Sequence, residues 1–480
     1  MSSKIEKLEN KLGELSREIN EKKIPVMILF EGPVASGKSR LSNELYMKLD
    51  AKYTEFIATK MPSEDDLRYP FLYSYWKTLP KRGSFNLYFR SWYAQFIQYK
   101  ENRLKKSVYE DYDVLIEQIK HFEEMLIEDD YEIIKFYLNI DDDKRKEHIE
   151  KTKKNPLTKW KAEEYEQAID ESVYKETMDK LMKKTDSKLS PWHKIDYTER
   201  EETVEEMYEI IIEALEDALK RKSKKDEKRE VDGDFTKDYK AEILTNNKEK
   251  IDKEDYNEIL PKLQHRMREL QYALYERKIP LVLVYEGIDA AGKGGNIKRI
   301  RKELDPTGYK INAISAPTDV ELDHHYLWRF ATDMPRSGHI EFFDRSWYGR
   351  VLVERVEGFA SVNEWKRAYD EINQYEKMLS DDGAIIMKFF ITIDKDEQQE
   401  RFEDRQEDEH KQWKITEEDW RNRENWDLYI EASEDMINKT STDYAPWHVV
   451  PGNQKKYARI YALKEIIKAC EKRLFGVERY

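Results

Sequence analysis

"VYEGIDAAGKGGNIKRI", Val284–Ile300, decides the fold. An apolar run ending at Tyr285 leads into a glycine-rich turn and then a basic segment with helical spacing. Strand, turn and helix in that order predict a phosphate-binding loop, whose backbone N–H groups and helix N-terminus cradle anionic oxygens. Gly287, Gly292 and Lys293 fit the pattern G-x-x-x-x-G-K-[ST], but Gly294 stands where a Ser or Thr would hold magnesium. A second stretch, "LFEGPVASGKSRL" from Leu29, satisfies the pattern in full from Gly32 to Ser39.

The two loops belong to a repeat of a whole domain, offset by 255 residues. "EKKIPVMILFEG" from Glu21 matches "ERKIPLVLVYEG" from Glu276; "FRSWY" from Phe89 matches "DRSWY" from Asp344; "SPWH" from Ser190 matches "APWH" from Ala445. Between them the offset falls to 253, where "KWK" from Lys159 matches "QWK" from Gln412. Ile5, Leu8, Leu12, Leu15 and Ile19 repeat as Leu260, Leu263, Met267, Leu270 and Leu274, an apolar helical stripe expected to pack on a core. A charged, apolar-poor stretch from Lys220 separates the copies. The expected domains are 1–220 and 250–480, with a linker over 221–249.

Within each copy a strand, the loop and a basic helix are followed by a second strand ending in R-S-W-Y, then a long helix and a third strand. Strands alternating with helices predict a parallel sheet covered on both faces. The charged stretch Lys395–Trp420 reads as helices able to close over the site. The fold class is therefore α/β, a P-loop kinase-like three-layer α/β/α arrangement with a parallel sheet and a helical lid, in two tandem copies.

Composition limits the function classes. The net charge of −14 argues against broad binding of nucleic acid or anionic membrane, though not against a local basic cleft. A 12% aromatic content marks a globular chain. The single Cys470 excludes an internal disulfide, no apolar run reaches membrane-span length, and "MSSKIEKLEN" lacks a signal-peptide core, so a cytoplasmic location is expected.

In the second copy Asp289 sits inside a loop built for anions, which is costly unless a cation or a proton-donating substrate compensates, so it is expected to face a magnesium ion or an acceptor phosphate. Asp344 ends the strand "IEFFD" where a Walker B carboxylate stands. Together they are the candidate magnesium ligands, which would explain why Gly294 needs no hydroxyl. Lys293, Arg345 and Arg350 are the candidate catalytic cations. Gly287, Ala290, Ala291, Gly292, Gly294 and Gly295 supply loop backbone. Lys298, Arg299, Arg329, Arg401, Arg405, Lys411 and Lys414 are candidate phosphate ligands, Arg401 and Arg405 sharing one helical face. His324 and His325 lack metal-ligand spacing and read as structural or substrate-contacting. The first copy loses its partners. Val34 replaces Asp289, Phe89 replaces Asp344, Gln95 replaces Arg350, and His148, Thr152 and Thr158 replace Arg401, Arg405 and Lys411. The complete motif is expected to be inactive and the incomplete one active.

"GIDAAGKGGNIKRI", "FFDRSWYGRVLVERVEGF", "RFEDRQEDEHKQWKIT" and "TSTDYAPWHVVPGNQKKYARI" closely resemble the polyphosphate kinase 2 family, and the fused double domain resembles its AMP-phosphorylating class II branch. "PGN" from Pro451 departs from the acidic ending expected there. The resemblance implies transfer of a phosphoryl group from inorganic polyphosphate to AMP, giving ADP, with magnesium or alternatively manganese. It implies Asp289 and Asp344 as essential and Lys293, Arg345, Arg350, Arg401 and Arg405 as phosphate ligands. Self-association is left open. The competing readings are an ATP-dependent nucleoside monophosphate kinase, which Gly294 disfavours, and a non-catalytic polyphosphate- or nucleotide-binding scaffold, which the intact Asp289 and Asp344 disfavour.

Overall fold

The computed structural model describes residues 3–101, 103–104, 109, 112–166, 170–228, 248–410 and 412–476. The chain divides into two compact units. The first comprises Met1–Leu67, Phe71–Val231 and Thr318–Thr332, and the second Arg68–Pro70, Asp232–Pro317 and Asp333–Tyr480.

The first unit holds β1 (Val26–Glu31), β2 (Thr54–Ala58), β3 (Phe85–Phe89), β4 (Glu132–Asn139) and β5 (Trp192–Asp196), ordered β2-β3-β1-β4-β5. The second holds β6 (Leu281–Gly287), β7 (Tyr309–Ala313), β8 (Ile340–Asp344), β9 (Ile385–Thr392) and β10 (Trp447–Pro451), ordered β10-β9-β6-β8-β7. Among the described residues every strand pair is parallel. The three strands expected in each copy are present. The outer strands were not legible, because "YKINA" and "WHVVP" are short and only partly buried. The central β6 is buried along nearly its whole length, as a strand covered on both faces must be. Its Tyr285 pairs with both Asp344 and Phe389, so the ends of three strands come level at one crevice. Crevices of this kind, beyond the carboxyl ends of parallel strands, are where open α/β sheets bind ligands.

One buried ion pair ties this crevice together. Lys388 of β9 meets Glu376 of the helix Val362–Asp381 at 2.7 Å, both fully buried. Lys388 also donates to the Thr440 carbonyl and the Tyr348 hydroxyl, while Trp347 and Tyr348 donate to Glu376. The first unit repeats the pattern with Lys135, Glu123, Trp92, Tyr93 and the Thr185 carbonyl.

The apolar stripe of the helix Ser3–Glu21 joins the first unit's core beside the helix Arg200–Lys228. That second helix corrects the linker boundary at 220, for it stays helical to Lys228. Lys222 and Lys225 pair with Asp130 at 2.8 and 2.7 Å, and Arg221 with Glu132, so the charge run is a helix face docked by ion pairs. The rest of the expected linker, through 247, lies outside the described residues. The segment Thr318–Thr332, expected in the second domain, belongs to the first unit, where the Asp323 carbonyl accepts from the Arg82 N–H at 2.8 Å. Cys470 is buried, and burial pushes its thiol up to about 12. Among the described residues no helix is long and apolar enough to cross a membrane.

Replacing Lys388 by Met strands the Glu376 carboxylate in the core. The expected loss is about 3–5 kcal/mol of the second unit's stability, with most of it recovered in Lys388→Met/Glu376→Leu. Calorimetric unfolding of both variants measures this.

Candidate active site

The loop between β6 and the helix Lys293–Ile300 is shaped by backbone conformations its residues make available. Gly287 has φ 138°, and a Cβ there would lie 2.2 Å from the Ile391 carbonyl oxygen, so only glycine lets the loop leave the sheet. Ala290 and Arg345 hold φ of 62° and 64°, left-handed values that cost of order 1–3 kcal/mol each outside glycine. Ser346 secures the second of these turns: its hydroxyl caps the Tyr348 N–H and donates to the buried Glu286 at 2.8 Å. Burial raises the pKa of Glu286, against the opposing pull of Lys293.

Lys293 donates to the Gly287 carbonyl at 2.7 Å and stands 3.9 Å from Asp289. Asp289 is the hub. Arg345 reaches it at 3.4 Å and Asn422 at 2.8 Å, while Gln398 donates to its backbone carbonyl at 3.2 Å. Burial alone would raise the Asp289 pKa. Lys293, Arg345 and Asn422 outweigh it and hold the carboxyl below its ordinary value. Arg345 also meets Glu418 at 3.5 Å. Asn422 and Glu418 lie on the helix Glu417–Glu424, which therefore rests closed on the loop through polar contacts.

A fourth position answers the question posed by Gly294. A Cβ there would lie 3.3 Å from Asp344 Oδ2. The absent side chain leaves space beside the carboxylate, where a Ser or Thr would crowd it.

Two cavities share the loop. The first, about 90 Å³, is lined by Glu286, Gly287, Asp289, Lys293 and Arg345 on one side and by Asn422, Trp426 and Tyr429 on the other. That is below the ~300 Å³ lower bound for ordinary ligand pockets. The second, about 340 Å³, takes Ala290, Ala291, Gly292 and Gly295 from the same loop. It is lined by Arg299, Arg401, Arg405, Lys455 and Arg459, with Asp404 the one carboxylate among the described residues of its wall. Burial and the neighbouring Arg401 lower the pKa of Lys455, a sign of crowded positive charge.

The structure thus gathers Gly287, Asp289, Ala290, Ala291, Gly292, Lys293, Gly295, Arg299, Arg345, Arg401 and Arg405 around the two cavities. It separates others. Lys298 is exposed and lines neither cavity, because one residue along a helix turns the side chain away from the face Arg299 shares. Arg329 falls in the first unit and pairs with Glu321 at 3.1 Å. His324, nearby, stacks on Trp328 at 4.1 Å, a structural role. Arg350 is held by Glu354 at 3.1 Å, one helical turn on, and lines neither cavity. Lys411 lies outside the described residues, and Lys414 is in a short 3-10 turn. Sequence reasoning missed Glu286, Asn422, Glu418, Lys455 and Arg459. Arg459 left a signal, for Val204 stands in the first copy where Arg459 stands in the second, whereas Lys455 aligns with another cation, Arg200.

The first unit's loop has the same turn but is filled from within. Lys38 is buried and donates to the carbonyls of Gly32 and Pro33 and to the Ser36 hydroxyl. The Gly32 N–H donates to the Tyr174 hydroxyl at 3.2 Å. Burial, then Arg90, lower the Lys38 pKa to about 7.

A parallel sheet with this loop, a strand-end carboxylate and a closing helix defines a P-loop phosphotransferase fold. The polyphosphate kinase 2 family model matches residues 1–224 and again 250–475, and the chain belongs to that family. It is 35% identical to a polyphosphate:AMP phosphotransferase of Pseudomonas aeruginosa, over 94% of this chain and 91% of that one. It is 33% identical to the protein of that name from Pseudomonas syringae pv. tomato, over 93% and 90% of the two chains. A crystal structure of a polyphosphate kinase 2 from Pseudomonas aeruginosa PA01 superposes with a TM-score of 0.83 at 33% identity, covering 98% of this chain and 95% of that one.

A hydrogen bond to a charged group is worth about 1.5–3 kcal/mol, so Asn422→Ala should speed amide exchange across Glu417–Glu424 by about tenfold or more. Exchange mass spectrometry reads this directly. An unchanged rate would mean that Asp289 does not hold the helix.

Proposed function

We propose that this chain transfers the terminal phosphoryl group of inorganic polyphosphate to AMP, giving ADP, and that the second unit carries the reaction. The observation that carries the reading is the pair of cavities on one phosphate loop. The wider one, rich in arginine and lysine, suits a long polyanion. The narrower one joins Asp289, Lys293 and Arg345 to the aromatic rings of Trp426 and Tyr429, a setting for a nucleotide. The names borne by relatives that cover nearly the whole chain support the same substrates.

In the step, an oxygen of the AMP phosphate attacks the terminal phosphorus of the chain. The bond from that phosphorus to its bridging oxygen breaks, and the shortened chain leaves with the electron pair. Such transfers need positioning and charge neutralisation more than covalent help from the protein. Lys293 and Arg345 supply mobile positive charge beside the loop, and Arg405 supplies it from the wall of the basic cavity. The narrow cavity opens for the nucleotide when Glu418 and Asn422 release Arg345 and Asp289.

The donor set fits magnesium, or manganese in its place. Among the described residues no cluster of three or more His, Cys, Asp or Glu side chains forms a ready-made cage. Asp289 and Asp344 would hold the ion, with phosphate oxygens completing its shell, and the space at Gly294 favours this. The ion would neutralise phosphate charge there.

The first unit is read as catalytically silent, because its loop is closed on its own lysine and lacks both carboxylates.

A coupled assay with long-chain polyphosphate, AMP and magnesium, without ATP, tests the reading. ADP should form with wild type and with Lys38→Ala at rates within about twofold. Lys293→Ala and Asp344→Ala should each lose at least about a hundredfold. ADP from ATP plus AMP alone would assign the chain to the nucleoside monophosphate kinases. Equal losses in Lys38→Ala and Lys293→Ala would overturn the silent first unit.

A further inference from the structure

We infer that Arg401 is a positioning residue that fixes the backbone of the phosphate loop, and that of the two lid arginines Arg405 alone is a phosphate ligand. The inference rests on the proposed phosphotransfer for its kinetic consequence only. Its structural basis is independent of substrate.

A guanidinium has five N–H donors. In Arg401 all five are engaged. Nε donates to Glu397 at 2.6 Å. Nη1 donates to the carbonyls of Ala290 and Ala291 at 2.9 and 3.0 Å. Nη2 donates to the carbonyls of Gly452 and Asn453 at 2.8 and 3.1 Å. The side chain is 4% exposed. Binding a phosphate would require breaking one or more of these five bonds and would leave the released oxygen to find another partner, a cost of about 1–3 kcal/mol for each buried group left unpaired. Arg401 thus joins three elements: its own helix Lys395–Glu407, the phosphate loop, and the turn that follows β10.

The first copy provides an internal control. Its loop holds the same left-handed residue, Ala35 at φ 60°, matching Ala290 at 62°. On the matching helix, Asp142–Lys154, the residue aligned with Arg401 is His148. His148 Nδ1 donates to the Ala35 carbonyl at 3.2 Å, the counterpart of the bond from Arg401 to Ala290. The residue type has changed and the contact has survived. One turn on, the outcome is opposite. Thr152 aligns with Arg405, and its hydroxyl donates back to the His148 carbonyl at 2.8 Å within its own helix. A copy that has lost both site carboxylates has also lost the cation at the second position, yet it keeps a donor at the first. The left-handed turn explains why, since its strained carbonyl needs a partner wherever the loop is kept, with or without chemistry.

The test uses the full chain with Arg401→Met, Arg401→His and Arg405→Met. Without ligand, amide exchange across Ile288–Gly295 should quicken in Arg401→Met, return toward wild type in Arg401→His, and stay unchanged in Arg405→Met. In turnover, Arg401→Met should lower kcat at least tenfold with KM for polyphosphate within about twofold, and Arg401→His should regain most of kcat. Arg405→Met should instead raise KM. The salt dependence of tripolyphosphate binding, by calorimetry, should become shallower only in Arg405→Met, because each lost phosphate contact reduces the slope. Loop exchange unchanged in Arg401→Met, or a salt slope as shallow as that of Arg405→Met, would overturn the assignment. If Arg401→Met does not fold, Arg401→His decides: wild-type loop exchange and slope support the inference, and a shallower slope sinks it. A wild-type chain that forms no ADP would remove the proposed function, while the exchange comparison would still judge Arg401.

Discussion

The Lys388–Glu376 pair is the interaction on which the rest of the second unit depends. It is an ammonium and a carboxylate with no exposure to water, 2.7 Å apart. Desolvating two charges is costly, and only good geometry with further hydrogen bonds offsets it. Here Trp347, Tyr348 and the Thr440 carbonyl supply those bonds. Each belongs to an element that bears on the site. Trp347 and Tyr348 follow Asp344 and Arg345, and Thr440 ends the helix carrying Trp426 and Tyr429. The polar core therefore sets where the strand-end carboxylate and the aromatic wall can stand.

The first unit separates that scaffold from the chemistry. It repeats the buried pair with Lys135 and Glu123 at 2.8 Å, and it repeats both left-handed turns, at Ala35 and Arg90. What it lacks is carboxylates at the positions of Asp289 and Asp344. Its loop lysine has no carboxylate on the loop itself, and where Lys293 bonds the Gly287 carbonyl alone, Lys38 bonds the carbonyls of both Gly32 and Pro33. A complete motif can thus describe a backbone turn, whereas a working site needs what surrounds the turn.

Much of this was legible. Periodicity and the repeat revealed the central strands, both loops and the strand-end aspartate, because each is a local pattern or a comparison at fixed offset. The misses share one physical cause. Spacing along an element says which side chains are neighbours on it, not what another element brings to them. Arg401 and Arg405 look equivalent at i and i+4, yet four carbonyls from the loop and the turn after β10 converge on the first. Lys298 and Arg299 are adjacent and both cationic, and only the second turns toward the cleft. Asn422 reaches the loop at Asp289, and Glu418 reaches Arg345, through a helix whose docking no periodicity records. Arg329 was placed with its sequence neighbours, but its segment packs in the first unit.

The phosphate loop is a shared wall, with Gly287, Asp289 and Lys293 facing one cavity and Ala290, Ala291 and Gly292 the other. A wall with two faces can keep two bound groups apart. A polymer seated on one side has no need to leave while a small molecule is exchanged on the other. That is the geometric condition for processive consumption, in which one strand is shortened through many cycles before it is released.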